Sequence, residues 1–189
     1  MAKAIIRCSW CGDDPLYQSY HDEEWGVTLK EDQKLFEFLT LESAQAGLSW
    51  ITILRKRTAY REAFADFDPE VVAGFSSKQV EELLGNAGIV RNRKKIEAAI
   101  NNAARFLEVS ASFGSFYNYS MRFVGGQKKV NRFKNMQDVP AITEESTAFA
   151  KDLKQRGFKF LGPTTVYAHM QACGMVNDHM VDCFRYSQV

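Results

Sequence analysis

Residues 76–107 read SSKQVEELLGNAGIVRNRKKIEAAINNAARFL, and this stretch decides the fold. Ser76 is a good helix cap, and Val80, Leu83 and Leu84 behind it share one helical face. Gly85-Asn86-Ala87-Gly88 breaks the pattern with a tight turn. Ile96, Ala99, Ile100, Ala103 and Leu107 then recur at helical spacing. Two helices joined in this way make a helical hairpin spanning about residues 76–108. Arg91, Arg93, Lys94 and Lys95 crowd the start of its second helix. Cations are unfavourable there because the helix dipole already places positive charge at that end. A bound phosphate resolves the conflict, since the free N–H groups and the dipole both favour an anion. Gly88, Arg91 and Arg93 are therefore candidate phosphate contacts, against the plainer alternative of a solvated basic helix end.

Outward from the hairpin, the remaining segments also read as helix. Asp14-Pro15 caps and opens a short helix with Tyr17, Tyr20 and His21 on one face, ended by Trp25-Gly26. A helix from about Glu31 to Ala46 carries the apolar stripe Leu35, Phe38, Leu39 and Ala46, interrupted at position 42 by glutamate. Trp50 to Phe64 forms the next, stopped by Asp66-Phe67-Asp68-Pro69. Phe113 to Val124, Glu144 to Arg156 and Thr164 to Cys173 complete the set. Gly125 to Pro140, with Lys128, Lys129, Arg132 and Lys134, reads as a flexible polar loop. No stretch alternates as a strand should, so the fold class is all-α, in one domain over residues 1–189.

The chain of 189 residues is 46% apolar and 25% charged with a net charge of +1, the balance of an ordinary globular protein. That charge makes no global case for nucleic acid, so any such surface must come from local clusters. No apolar run approaches the roughly 18 residues of a membrane span. The stretch from Met1 to Cys8 is too short and polar for a secretory leader. A cytoplasmic location follows, where clustered cysteine and histidine favour metal over disulfide.

Cys8, Cys11 and His21 lie near one end of the chain, and His179-x3-Cys183 near the other, where helical spacing puts the pair on one face. Four such ligands make a closed tetrahedral zinc site with no position for chemistry. Spacing alone leaves the set open between Cys8, His21, His179, Cys183 and Cys8, Cys11, His179, Cys183. Glu42 is the sharper signal. A carboxylate on a buried stripe costs several kcal/mol unless it is paired. It either meets Arg55 or Arg61 in a structural ion pair or lines a pocket that tunes it. Tyr17, Tyr20 and Trp50 flank the Glu42 helix, and aromatic walls around one carboxylate suit a flat, cationic, hydrogen-bonding ligand. His169 and Cys173 read as core residues.

Asp14-Pro-Leu-Tyr17, Tyr20-His-Asp, Glu24-Trp-Gly26, Leu41-Glu-Ser, Gln45-Ala-Gly-Leu-Ser-Trp50, Arg156-Gly-Phe-Lys-Phe160 and Gln171-Ala-Cys-Gly174 follow one another in order. Together they resemble the bacterial 3-methyladenine-DNA glycosylase I family over almost the whole chain. The resemblance implies an all-helical helix-hairpin-helix glycosylase with a structural zinc at Cys8, His21, His179 and Cys183, leaving Cys11 outside the motif. It implies that Glu42 and Tyr17 meet the edge of the excised base, and that Tyr20 and Trp50 stack on it. Gly47 and Leu48 would fill the gap left in the duplex by the flipped nucleotide. The hairpin residues Gly88, Arg91 and Arg93 are then the candidate contacts to the DNA backbone. The implied partner is double-stranded alkylated DNA, the product free 3-methyladenine, and the enzyme a monomer with no membrane association.

Methylation at the 3-position makes adenine cationic and already a good leaving group, so little general acid is needed. Many relatives in the wider superfamily place an aspartate downstream of the hairpin, but here none occurs before Asp138. No lysine stands out as a Schiff-base nucleophile, so a monofunctional hydrolase is expected. Two other classes compete. A zinc deaminase needs an open metal position and a His-x-Glu motif with Pro-Cys-x-x-Cys; His21-Asp-Glu23 faintly echoes the first, and the second is absent. A non-catalytic lesion-binding module would be indifferent to replacement of Glu42.

Overall fold

A computed structural model describes residues 5–189; residues 1–4, part of the stretch read as too short for a leader, lie outside the described residues. Nine α-helices make up most of what is described: α1 (Pro15–Glu23), α2 (Asp32–Gln45), α3 (Trp50–Ala63), α4 (Pro69–Ala73), α5 (Ser77–Gly85), α6 (Arg93–Phe113), α7 (Phe116–Met121), α8 (Glu144–Gln155) and α9 (Pro163–Ala172). The all-α expectation holds, and no helix among the described residues is long and apolar enough to cross a membrane.

The organising element is α2. It packs against α3, α6, α7 and α9, and every residue from Leu35 to Ala44 is buried. The expected single stripe is thus a fully enclosed helix, which explains why its apolar periodicity is imperfect. Ala46, placed on the stripe by spacing, is exposed at the end of the helix.

The hairpin forms as read, with a capping box at Ser76 and Gln79 and with Asn92 capping α6 through Lys95 N. The second helix runs further than expected, to Phe113, where left-handed Gly114 ends it. Phe113 to Val124 is consequently not one helix. Ser115 re-caps the chain to start α7, and a 3-10 turn follows at Arg122–Val124. Asp68-Pro69, read only as a stop, also starts α4, because Asp68 accepts from Glu70 N and Val71 N as Asp14 does for α1.

The polar segment 125–140 is tied down rather than loose. Lys129–Val130 (β1) pairs in parallel with Val176–Asn177 (β2), correcting the expectation of no strand. A two-residue ladder is too short to leave any alternation in sequence. Val181 N donates to Phe133 O, and a 3-10 turn at Met136–Asp138 closes the segment. Gly174, with φ +67°, lets the chain turn from α9 into β2 hard against residues 26–28. A Cβ there would sit 2.5 Å from the Val27 carbonyl carbon.

Candidate active site

The carboxylates of α2 divide into two kinds. Glu37, which sequence reasoning passed over, receives Arg57 Nε at 2.7 Å, Arg61 Nε at 2.8 Å and Lys34 Nζ at 3.2 Å. Although burial opposes its charge, the two arginines hold its pKa below the usual value. Glu42 has neither of the partners considered for it: Arg61 serves Glu37, and Arg55 binds Asp14 at 2.6 Å. Only 5% exposed, it borders an open cavity of about 190 Å³, and burial raises its pKa to about 8.

The cavity walls are mainly aromatic. Tyr17 and Tyr20 come from successive turns of α1, and Trp50 from the first turn of α3. Tyr20 lies 5.5 Å from Trp50 between ring centroids, and burial together with nearby Glu42 pushes its phenol well up. Trp10 and Trp25 complete the wall. Trp10 stands edge-on to Tyr17 at 5.1 Å and to Trp25 at 4.9 Å. Sequence reading missed both tryptophans, although they lie within the same N-terminal run. The indole N–H groups of Trp10 and Trp50 are buried without an acceptor among the described residues. A buried carboxyl set among aromatic faces can receive a flat heterocycle with polar edges.

Opposite α2, Gln171 of α9 and buried Asp178, just after β2, also line the cavity. Met136 and Val139 close it from the segment read as a flexible loop. Of these four, only Gln171 figured in the sequence reading, as the first residue of a family-like block and with no role assigned. His169 is buried as expected, and burial lowers its pKa to about 4. It is not fully satisfied: Nδ1 lies 3.6 Å from Cys173 Sγ, but Nε2 has no partner among the described residues.

Behind the aromatic wall, Cys8, His21, His179 and Cys183 converge, all buried, with their ligand atoms within 4.8 Å of one another. Three sulfur–nitrogen separations measure 3.5, 3.5 and 3.6 Å. A tetrahedral ion with sulfur at about 2.3 Å and nitrogen at about 2.0–2.1 Å has sulfur–nitrogen edges of about 3.5–3.6 Å. The four residues therefore fit a tetrahedral metal. Each imidazole is oriented by its far nitrogen: His21 Nδ1 meets Asp22 at 2.7 Å, and His179 Nε2 donates to Trp25 O at 3.1 Å. Asp22 is in turn gripped by Arg7. Hydrogen bonding from Cys8, His179 and His21 holds the Cys183 thiol far below its ordinary value, while Cys8 is pushed up. Cys11, the rival ligand, turns away and donates to Cys8 O at 3.1 Å. His179 and Cys183 do not share a helix as their spacing suggested. A hydrogen-bonded turn, Cys183 N to Met180 O, brings them together instead.

At the cavity rim the α2–α3 turn carries Gly47, with φ +82°, and Leu48, 41% exposed. The hairpin is fastened beside it. Lys95 Nζ donates to Ala44 O and Ala46 O at 2.8 and 2.6 Å, and Lys56 Nζ to Ala87 O at 3.0 Å. Lys95 is thus engaged at the end of α2, which leaves it no role as a free cation. Arg93 meets Glu81 at 2.6 Å and Glu97 at 3.6 Å, so the conflict at the start of α6 is partly relieved inside the protein. Arg91 and Lys94 remain exposed. Gly88 packs so closely on α3 that a Cβ would lie 2.7 Å from that of Ala59, which seats the hairpin turn against that helix.

Residues 10–186 match the family described as methyladenine glycosylase. The chain is 48% identical over 180 residues to DNA-3-methyladenine glycosylase 1 of Escherichia coli, covering 95% of this chain and 96% of that one. A crystal structure of 3-methyladenine DNA glycosylase I superposes with a TM-score of 0.92 at 49% identity, over 95% of this chain and 98% of the other. The enzyme from Staphylococcus aureus, whose structure addresses 3-methyladenine recognition, gives 0.92 at 41% identity, covering 96% and 97%.

Proposed function

Since the chain belongs to the methyladenine glycosylase family, we propose that the cavity bounded by Glu42 and the aromatic wall is where the alkylated base is received. The protein is a glycosylase that hydrolyses the N-glycosidic bond of 3-methyladenine in alkylated DNA. The observation that carries the site assignment is Glu42, a buried carboxyl with no protein partner among the described residues, in a wall of aromatic rings.

In this reading the nucleotide leaves the duplex and its base slides between Tyr20 and Trp50, with Tyr17 at the base edge. The apolar pocket strips water from the base, and the aromatic faces and Glu42 replace that hydration with interactions suited to a cation. Glu42 is protonated in the empty pocket at neutral pH and ionises opposite the positive charge. Cleavage sends the bonding pair to the base, which leaves neutral, while the sugar passes through an oxocarbenium-like state, takes up water and gives up a proton to solvent. Alkylation has already activated the leaving group, so the residues mainly select, hold and desolvate. Leu48 on the exposed turn fills the vacated stack, and Gly88, Arg91 and Arg93 meet the double-stranded DNA backbone, with Arg93 exchanging its glutamates for phosphate.

We assign the four-ligand cluster to structural zinc, held by Cys8, His21, His179 and Cys183; when bound it supplies cross-linking of the two chain ends and no step of hydrolysis. The complete, buried donor set argues against a deaminase, which needs an open metal position. We further read residues 1–189 as one domain, acting as a monomer in the cytoplasm in base excision repair.

The test is release of 3-methyladenine from methylated duplex DNA by wild type and Glu42→Gln, alongside quenching of tryptophan fluorescence by the free base. Quenching in wild type, together with weakened binding or slowed release in the variant, supports the assignment. Equal binding and release by both proteins removes Glu42 from the site and revives the lesion-binding alternative.

A further inference from the structure

The cavity's polar groups are not equally constrained. Asp178 is buried, and its carboxylate collects three side-chain donors. Tyr167 Oη donates to Oδ2 at 2.6 Å, Gln171 Nε2 to the same oxygen at 2.8 Å, and Asn131 Nδ2 to Oδ1 at 2.6 Å. A carboxylate only accepts, so the Gln171 amide has one favourable orientation, with nitrogen on Asp178. Its carbonyl oxygen has no hydrogen-bond partner among the described residues and is not among the solvent-inaccessible atoms, which leaves it to the cavity that Gln171 lines. Gln45, the other amide on this cavity, has no such restraint among the described residues and is free to turn either way.

We propose that Gln171, locked by Asp178 as a pure acceptor, is a specificity-determining residue that reads the exocyclic 6-amino group of the base and rejects a 6-carbonyl. This rests on the assignment of the cavity to the alkylated base. An adenine-type ring presents two N–H donors at position 6, whereas a guanine- or hypoxanthine-type ring presents a carbonyl oxygen. Facing a fixed acceptor, that oxygen is left unpaired against Gln171 and the two oxygens repel, and such a mismatch discriminates more strongly than shape. Glu42 cannot supply this selectivity alone, because a carboxyl that gains or loses its proton can accept or donate. Asp178 is the positioning residue. It holds Gln171 on one side and, through Asn131, the segment carrying Met136 and Val139 on the other.

The experiment measures affinities for free 3-methyladenine and 3-methylhypoxanthine, which carries a carbonyl in place of the 6-amino group, by tryptophan quenching. Wild type, Gln171→Met and Asp178→Asn are compared. Wild type is expected to favour the amino base. Gln171→Met, close in volume, should lower the affinity ratio roughly ten- to hundredfold while both bases still stack. Asp178→Asn offers a donor as well as an acceptor, so the amide can turn its nitrogen to the cavity and the ratio shifts toward the 6-oxo base. A merely structural role for Asp178 weakens both bases equally. An unchanged ratio in Gln171→Met, with 3-methyladenine still bound, overturns the inference and leaves the Glu42 pocket standing. If wild type binds neither base, the pocket assignment itself fails and takes the inference with it. Should Asp178→Asn fail to fold because its neighbour His179 belongs to the cluster, Gln171→Met alone decides.

Discussion

Replacing Glu42 by glutamine should make the protein more stable, and increasingly so as pH rises. Burial raises the Glu42 pKa from 4.5 to about 8. The native state thus keeps its proton to about pH 8, while the unfolded chain gives it up near 4.5. The sign follows directly: the protonated group contributes its full stability below pH 4.5, and this is lost as pH climbs from 4.5 to about 8. A shift of about 3.5 units at 1.36 kcal/mol each sets an upper limit of about 5 kcal/mol on the loss. The cavity is open to water, which solvates the ionised carboxyl in part, so about 2–4 kcal/mol is expected. Glutamine has the same shape and no charge to titrate. Urea unfolding of both proteins at pH 5, 6, 7 and 8 gives the difference in stability at each pH. Every other titrating group, the cysteine–histidine cluster included, is common to the two proteins and cancels. The difference should grow in favour of Glu42→Gln by up to about 1.4 kcal/mol per pH unit. Parallel curves, or wild type gaining on the variant with rising pH, would show that Glu42 is solvated or paired and refute the reasoning.

Three further outcomes bear on other parts of the molecule. Leu48→Gly should slow release of 3-methyladenine from duplex DNA about tenfold or more while leaving binding of the free base unchanged, because Leu48 sits on the exposed rim turn; equal losses in both assays would place it in the base pocket instead. Metal chelation, or Cys183→Ser, should lower the unfolding free energy by several kcal/mol in a denaturant melt, and a variant as stable as wild type would show that the cluster does not clasp the chain ends. Gly174→Ala should destabilise by about 3 kcal/mol or more by denaturant melt, since its Cβ would meet the backbone of residues 26–28 at a positive φ.

The hairpin, most of the helices and the odd position of Glu42 were legible because each rests on local rules: caps, glycine turns and a carboxylate set among apolar neighbours. The contrast between Glu37 and Glu42 was not. Both lie on α2, and only the packing of α3 shows that Arg57 and Arg61 serve the first and leave the second bare. Spacing misread His179 and Cys183 as helical because a turn can present residues four apart as well as a helix does. The choice between Cys11 and His21 depended on a backbone carbonyl, that of Cys8, which captures the Cys11 thiol. Asp178, Gln171 and the wall formed by Met136 and Val139 were beyond sequence reasoning for a different reason. They meet through a two-residue strand pair whose register exists only in three dimensions.

The four-ligand cluster and the cavity are a single construction, and the chain positions show why. Cys8 is followed two residues later by Trp10. His21 shares α1 with Tyr17 and Tyr20, and His179 follows Asp178 directly. The far nitrogen of His179 donates to the carbonyl of Trp25, another wall residue. Gly26, next in the chain, has φ +82°, and a Cβ there would stand 3.2 Å from the His179 ring. Four of the five aromatic rings of the cavity thus lie between residues 10 and 25, in a segment whose one α-helix, α1, is only nine residues long. Such a segment holds a defined shape only if something outside it fixes both ends. The cluster does so by joining Cys8 and His21 to a turn near the far end of the chain. Loosening it should therefore blur the aromatic wall before it disturbs α2, and weaken base binding at chelator concentrations that leave the helical signal intact. If binding and helicity instead fall together, the clasp supports the whole fold and not the wall in particular.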